Sequence, residues 1–225
     1  SSSLSLMLTI DKFKTENLLK KNLIHTPHSL ILKDIQELVS LELTPPYIVK
    51  PNTEGSSISL YKVIDKDELL PIVEKMLVDH RSILVQEYIS GREFTCGVVE
   101  INGVLTALSP TEIILTQGDM FDYTAKYTIN GCKEVTPALV DEETTVRIQE
   151  LAKKVHELCE CKDISRTDMI MKDTGEIVVL EINTIPGMTK TSFIPAGLRA
   201  SGYDIPTFVK GMMDKYSQSS FKEVI

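Results

Sequence analysis

Two stretches near the C-terminal end hold the residue types best suited to chemistry. They are Arg166-Thr167-Asp168, and Leu180-Glu181-Ile182-Asn183 running into Thr184-Ile185-Pro186-Gly187-Met188-Thr189. Residues 168–172 and 176–183 read as a strand, a turn at Asp173-Thr174-Gly175 and a second strand. Residues two apart on a strand share a face, so Arg166 goes with Asp168 and Glu181 with Asn183. If Asp173 opposes Glu176, Asp168 faces Glu181 and Arg166 faces Asn183. A one-residue change in the turn shifts this, and the sequence alone leaves the register open. Carboxylate and amide oxygens gathered this way suit Mg²⁺, which takes oxygen ligands and shares its shell with substrate phosphates. The competing reading is a solvated polar hairpin face. The apolar strand around the acids, the neighbouring arginine and the Pro-Gly turn favour the metal.

Other segments offer phosphate and nucleotide chemistry. Tyr47-Ile48-Val49-Lys50 runs into Pro51-Asn52-Thr53-Glu54-Gly55-Ser56-Ser57. A lysine at a strand end supplies a point charge, and a Gly-Ser loop supplies N–H groups and hydroxyls. Taken alone, such a loop is usually only a loop. Lys12 and Lys126 add positive charge. Gln86-Glu87-Tyr88-Ile89 leads into Gly91-Arg92-Glu93-Phe94 where two lobes would join, and such clefts are favoured ligand sites. There Glu93 suits ribose hydroxyls and the preceding backbone suits adenine, against the reading of an ordinary strand and loop. Phe121-Asp122-Tyr123-Thr124-Ala125-Lys126-Tyr127 combines aromatics, an acid and a lysine, suited to closing over a site or to local packing.

These residues need a scaffold. The chain has 225 residues, 42% hydrophobic and 25% charged, enough for one large domain or two small ones sharing a cleft. A net charge of −8 argues against a nucleic-acid or anionic-membrane surface, but a few local lysines with Mg²⁺ still serve a nucleotide. No apolar run reaches membrane-spanning length and no signal-peptide pattern opens the chain. Cys96, Cys132, Cys159 and Cys161 form no C-x-x-C pair and read as reduced structural residues of a reducing cytoplasm. His25, His28, His80 and His156 form no ligand set.

Helices are expected at Asp11–Asn22, Asp67–His80 (with Pro71 in its first turn), Asp141–Cys161 and Ile205–Tyr216. Strands are expected within Thr26–Leu32, Tyr47–Lys50, Leu60–Val63 and Ile83–Ile89. Asn102-Gly103 marks a hairpin between Phe94–Ile101 and Val104–Leu108. Residues 118–129 read as a long irregular stretch. The fold class is α+β, two lobes of mainly antiparallel strands with helices against them.

In this order the pieces resemble the D-alanine–D-alanine ligases of the ATP-grasp superfamily. The likeness is carried by Asp11-Lys12, Val49-Lys50-Pro51, Glu54-Gly55-Ser56-Ser57, Gly91-Arg92-Glu93-Phe94, Tyr123-Thr124-Ala125-Lys126-Tyr127, Arg166-Thr167-Asp168 and residues 181–189. It implies an ATP-grasp fold enclosing a nucleotide cleft, with residues 11–90 as the small lobe, 91–217 as the large catalytic lobe and 218–225 as a frayed tail. It implies that Lys12 and Lys50 contact ATP phosphates, with Ser56, Ser57 and Lys126 near the nucleotide. It places adenine along Gln86, Glu87, Tyr88 and Ile89, and ribose at Glu93. Asp168, Glu181 and Asn183 would hold two Mg²⁺ (or Mn²⁺) ions. Arg166 and the backbone at Gly187 would stabilise an oxyanion. Lys126 and Tyr127 would ride a mobile loop tied to Ser56, and Ser192 would meet the second substrate's carboxylate.

The implied reaction joins two D-alanines into D-alanyl-D-alanine for cell-wall peptidoglycan precursors, in the cytoplasm, through an acyl phosphate. A homodimer is also implied. Two departures stand out. Gln86 occupies a position where the family usually has an acid reading the adenine amine, although an amide oxygen still accepts that bond. Residues 1–10 resemble the end of an N-terminal domain whose remainder is missing. Two alternatives follow: an ATP-binding module that needs a partner chain, and a ligase taking D-lactate or D-serine as second substrate.

Overall fold

The computed structural model describes residues 1–55, 59–116 and 131–219. The expected contributions of Ser56, Ser57, Lys126 and Tyr127, and the irregular stretch 118–129, lie outside them.

Strands β1 (Ser29–Leu32), β2 (Tyr47–Pro51), β3 (Tyr61–Val63) and β4 (Ile83–Glu87) form an antiparallel sheet ordered β1-β4-β2-β3. Its strands alternate between two faces. Leu32, Tyr47, Val49, Val63, Ile83 and Val85 turn to one face and pack on Leu69, Val73 and Met76 of helix α3 (Lys66–Asp79). Ile48, Lys50 and Gln86 share the other face, because Ile48 pairs with Gln86. Asp65 caps α3, its side chain accepting from the Asp67 N–H. Pro71 falls in the helix's second turn rather than its first, since α3 begins at Lys66, so the Asp67 carbonyl forgoes an intrahelical bond.

A second sheet is ordered β10-β9-β5-β7-β8, with β6 paired on β5. Its strands are β5 (Arg92–Ile101), β6 (Val104–Ala107), β7 (Thr111–Leu115), β8 (Cys132–Val135), β9 (Ile164–Met171) and β10 (Ile177–Asn183). Asn102 (φ 52°) and Gly103 (φ 80°) make the left-handed turn that Asn-Gly announces. Phe94, Cys96 and Val98 of β5 and Met169 of β9 face helix α4 (Glu142–Leu158), meeting its Ile148 and Ala152. The opposite face is divided. Val99 and Leu108 are covered by Ile194 and Leu198 of helix α5 (Phe193–Ala200) and by Phe208 of α6 (Ile205–Ser219). Glu93 and Thr95, Arg166 and Asp168 lie further along that face, beyond the Val99 and Leu108 cluster.

The N-terminal residues, expected to be a linker, form helix α1 (Ser3–Ile10), capped by Ser2 and tied down by a Ser5 Oγ hydrogen bond to the Cys159 carbonyl (2.8 Å). Asp11 caps α2 (Lys12–Lys21), whose Leu19 packs with Val155, Val179 and Ile182 of the larger sheet and α4. The helix opening the 11–90 segment therefore sits on the larger unit. Strands β7 and β8, helix α5 and a 3₁₀ turn at Ile35–Ser40 had no reading in the sequence. Among the described residues no helix is long and apolar enough to cross a membrane.

Candidate active site

The Lys50 face of the smaller sheet and the Asp168 face of the larger meet around a cleft of about 350 Å³. From the smaller sheet it takes Ile48, Lys50 and Gln86, from the connection between sheets Tyr88 and Ile89, and from the start of β5 Glu93. From the larger sheet it takes Arg166, Asp168, Ile170, Leu180 and Glu181. Strand alternation explains the membership: Arg166, Asp168 and Ile170 are two apart on β9, and Ile48 and Lys50 two apart on β2.

The acid pair is built by an irregularity. Next to the turn, Met171 pairs with Ile177 and Met169 with Val179. Continued unchanged, that register would put Leu180 opposite Asp168 and send Glu181 to the other face. A bulge between Val179 and Glu181 inserts one residue, and Glu181 then pairs with Asp168 and Asn183 with Arg166. The pairing considered from the sequence is thus present, but the bulge produces it, since the turn pairs Lys172 with Glu176.

Arg166 grips Asp168 with two hydrogen bonds, Nε to Oδ1 (2.9 Å) and Nη2 to Oδ2 (2.7 Å). Thr95 Oγ1 also donates to Asp168 Oδ1 (2.5 Å). Burial alone would lower the Arg166 pKa, but Asp168, then Glu181 and Glu134, outweigh it and hold the guanidinium above its ordinary value. Phe193, the first residue of α5, lies against the guanidinium at 5.4 Å.

Lys50 is only 8% exposed. Burial lowers its pKa, the acids Glu181 and Glu16 pull the other way, and Lys12 adds to the lowering. Lys12 donates to the Glu54 carbonyl at the start of the Gly-Ser loop and lies 4.0 Å from Glu181 Oε2. The expected phosphate-handling lysines therefore converge on the acid that faces Asp168. Lys12 is placed by its loop neighbour: Asn52 caps the turn by accepting from Phe13 N–H (3.0 Å) and donating to Asp11 (3.0 Å).

At the junction, Glu87 accepts from the His28 N–H (2.9 Å), Tyr88 N–H donates to Pro46 O (3.2 Å) and Lys62 lies over the Tyr88 ring (3.6 Å). Gln86 is 2% exposed, and its amide nitrogen donates to Glu16 and to Ser29 Oγ (2.8 Å). Glu16 and the pair Arg92–Glu112 (2.8 Å) were not singled out from the sequence. Arg92 stood between two expected strands and Glu112 in none, and only β7, which was not foreseen, brings them together.

Asn183, Gly187 and Ser192 lie beyond the cleft lining. Asn183 shares the face of Glu181, opposite Arg166. Gly187 and Ser192 are neighbours: a Cβ on Gly187 would come within 2.7 Å of Ser192 Oγ, which accepts from the Thr189 N–H (3.1 Å). Among the described residues no three His, Cys, Asp or Glu side chains gather as a metal cluster. The oxygen set is instead two carboxylates and one amide on one sheet face. Hard oxygens of this kind fit Mg²⁺ or Mn²⁺ shared with phosphate. Burial pushes the Cys96 and Cys159 thiols up to about 12, so neither is a thiolate nucleophile.

Two antiparallel α+β units facing each other across a cleft, with Lys50 on one wall and Asp168, Glu181 and Arg166 on the other, define the ATP-grasp class. The family profile described as "D-ala D-ala ligase C-terminus" matches residues 17–214. A D-alanine--D-alanine ligase of Azobacteroides pseudotrichonymphae is 36% identical over 207 residues, covering 90% of this chain and 64% of that protein. One from Nitratidesulfovibrio vulgaris is 36% identical over 209 residues, covering 92% and 67%. Among solved structures, VanG D-Ala:D-Ser ligase from Enterococcus faecalis superposes with a TM-score of 0.84 at 34% identity, covering 96% of this chain and 64% of that one. D-alanine--D-alanine ligase from Bacillus anthracis gives 0.81 at 28%, covering 99% and 72%. The chain belongs to the D-ala D-ala ligase C-terminus family. It spans about 64% of the length of the first of these relatives.

Proposed function

We propose that this chain is the ATP-handling, catalytic part of a cytoplasmic ligase that joins two D-alanines for peptidoglycan precursors. The observation that carries the reading is Lys50 facing Glu181 and the Arg166–Asp168 pair across one cleft. ATP would lie with its base toward Gln86 and Ile89, its ribose at Glu93 and its phosphates between Lys50 and Lys12. The γ-phosphoryl group passes to a carboxylate oxygen of the first D-alanine, giving ADP and an acyl phosphate. The amine of the second D-alanine attacks the acyl carbon, phosphate leaves with the bonding pair, and the amine gives up a proton. A carboxylate is a poor acyl donor, so phosphorylation is what makes amide formation feasible.

The residues work mainly by position and charge. Asp168, Glu181 and Asn183 would hold Mg²⁺ or Mn²⁺, which when bound supplies charge neutralisation for the phosphates. Arg166, fixed by Asp168 through two N–H groups, would offer its others to the developing oxyanion, a role proposed for the Gly187 backbone as well. The small residue at Gly187 keeps Ser192 close, where its hydroxyl suits the second substrate's carboxylate. Lys126, Tyr127, Ser56 and Ser57 are proposed to complete the closed site.

D-alanine-dependent ADP release by this chain with Mg·ATP tests the reading, and Glu181→Ala should abolish it. Retained turnover in that variant would contradict the assignment. Mg·ATP binding without D-alanine-stimulated release would favour a module that works with a partner chain. The similarity to a D-Ala:D-Ser ligase gives a second reading of the acceptor. Product analysis with D-alanine, D-serine and D-lactate offered together decides it; D-alanyl-D-alanine is the expected main product.

A further inference from the structure

Glu16 has no counterpart in the mechanism, yet it is 2% exposed and lies beneath the nucleotide wall. One carboxylate oxygen accepts from the Gln86 amide nitrogen, and the other, Oε2, is buried with no hydrogen-bond partner. An unpaired buried carboxylate oxygen is costly, so its retention calls for a use. Seventy positions separate the two residues, and they belong to different elements, α2 and β4.

The chemistry of the contact is directional. An ionised carboxylate only accepts, so the group facing it must be the NH₂ of the amide. Ser29 Oγ takes the second amide hydrogen (2.8 Å) while giving its own to the Pro27 carbonyl (3.3 Å). A hydroxyl can turn from that long bond to donate instead, so it holds the orientation less firmly than a carboxylate, which has no hydrogen to turn. Of the three residues only Gln86 lines the cleft. With its nitrogen committed away from the cleft, the polar atom the amide has left to present is its carbonyl oxygen, an acceptor.

Building on the ATP reading above, we infer that Glu16 is a positioning residue that locks the Gln86 amide with its oxygen toward the base, selecting a purine that bears an exocyclic amine over one that bears a carbonyl. A lone glutamine would serve either base by rotating its amide. Glu16 forbids the rotation. Burial raises the Glu16 pKa, opposed by the nearby Ser29 hydroxyl, the charges of Lys50 and Lys20 and the Gln86 amide. The test is run in a mildly alkaline buffer, the side of the titration that favours the carboxylate.

The probes are ATP and ITP, which differ at the purine 6-position, titrated calorimetrically with Mg²⁺ and without D-alanine. The unaltered chain should favour ATP by about tenfold or more, the order expected when one hydrogen bond is replaced by two opposed acceptors. Glu16→Gln, whose amide accepts or donates, should bring the two affinities to within roughly threefold, because either Gln86 orientation is then satisfied. The double variant Glu16→Gln/Gln86→Glu should recover the preference, since the carboxylate then faces the base and the amide lies behind it. Ser29→Ala should keep it. An effect of Glu16 on the Lys50 charge would move both affinities together and leave the ratio alone. A preference retained in Glu16→Gln, or equal affinities in the unaltered chain, overturns the inference while leaving nucleotide binding intact. Absence of binding to either triphosphate overturns the ATP reading and the inference with it. If Glu16→Gln does not fold, Glu16→Asp, which withdraws the charge by one methylene, must lose the preference; retention overturns the inference.

Discussion

Lys50 sits in a conflict between burial and purpose. Its charged form is disfavoured because β2 carries it out of water, and Glu181 and Glu16 only partly compensate. The sign of the pH effect follows. Below its depressed folded value, Lys50 is protonated in both states and the native state carries the full desolvation penalty. As pH climbs from that value to the ordinary lysine value (about 10.4), the unfolded chain holds a proton the native chain has shed, and stability rises with pH. Lys50→Met should therefore be more stable than the parent at neutral pH, with the gap closing through that window. The same variant should bind Mg·ATP roughly ten- to a hundredfold more weakly, the loss of a charge-assisted contact. Thermal melts at neutral and alkaline pH, paired with calorimetry, check both parts. A less stable variant at neutral pH would show that the two acids outweigh the burial.

The strands position the site, and glycine spacing shows where they admit no change. A Cβ at Gly91, between β4 and β5, would come within 2.2 Å of the Met171 carbonyl oxygen, a backbone atom with no freedom to yield. A Cβ at Gly97, within β5, would meet the Cδ1 atom of Ile194 at 2.5 Å, the far end of a flexible side chain. Gly91→Ala is therefore expected to destabilise by about 1–3 kcal/mol, the range of overpacking, and Gly97→Ala by less. Urea unfolding of both variants measures the order, and a larger loss at Gly97 would contradict it. The Gly91 clash also falls beside Glu93, so nucleotide affinity should fall with stability there and hold at Gly97. The bulge at Leu180 belongs to the same scale: it is an element's irregularity, and it decides which side chain faces Asp168.

At the scale of the molecule, both sheets contribute to one cleft, and a ligand between them couples their stability. Mg·ATP at a hundred times its dissociation constant should stabilise the chain by about 2.7 kcal/mol. Chelating the divalent cation should remove most of that gain, because the acids facing the phosphates would then repel them. A melt with ATP, with and without EDTA, measures the difference; an undiminished shift in EDTA would argue that Asp168, Glu181 and Asn183 hold no ion.

Much of this was legible in the order of residues, because its causes are local. Asp11 and Asp141 cap helices, Asn102-Gly103 turns a hairpin, and Tyr47-Ile48-Val49-Lys50 alternates so that Lys50 must leave the core. The motifs around Lys50, Asp168 and Glu181 were legible for the same reason. What the tertiary structure decided depends on residues far apart in the chain. Among the described residues, helices α5 and α6 pack on one end of the larger sheet, and the other end lines the cleft. The register that brings Glu181 to Asp168 comes from a bulge that no turn residue announces. Glu16 reads as one more polar position of a surface helix until β4 places Gln86 against it, because a hydrogen bond acts over about 3 Å of space whatever the separation in sequence.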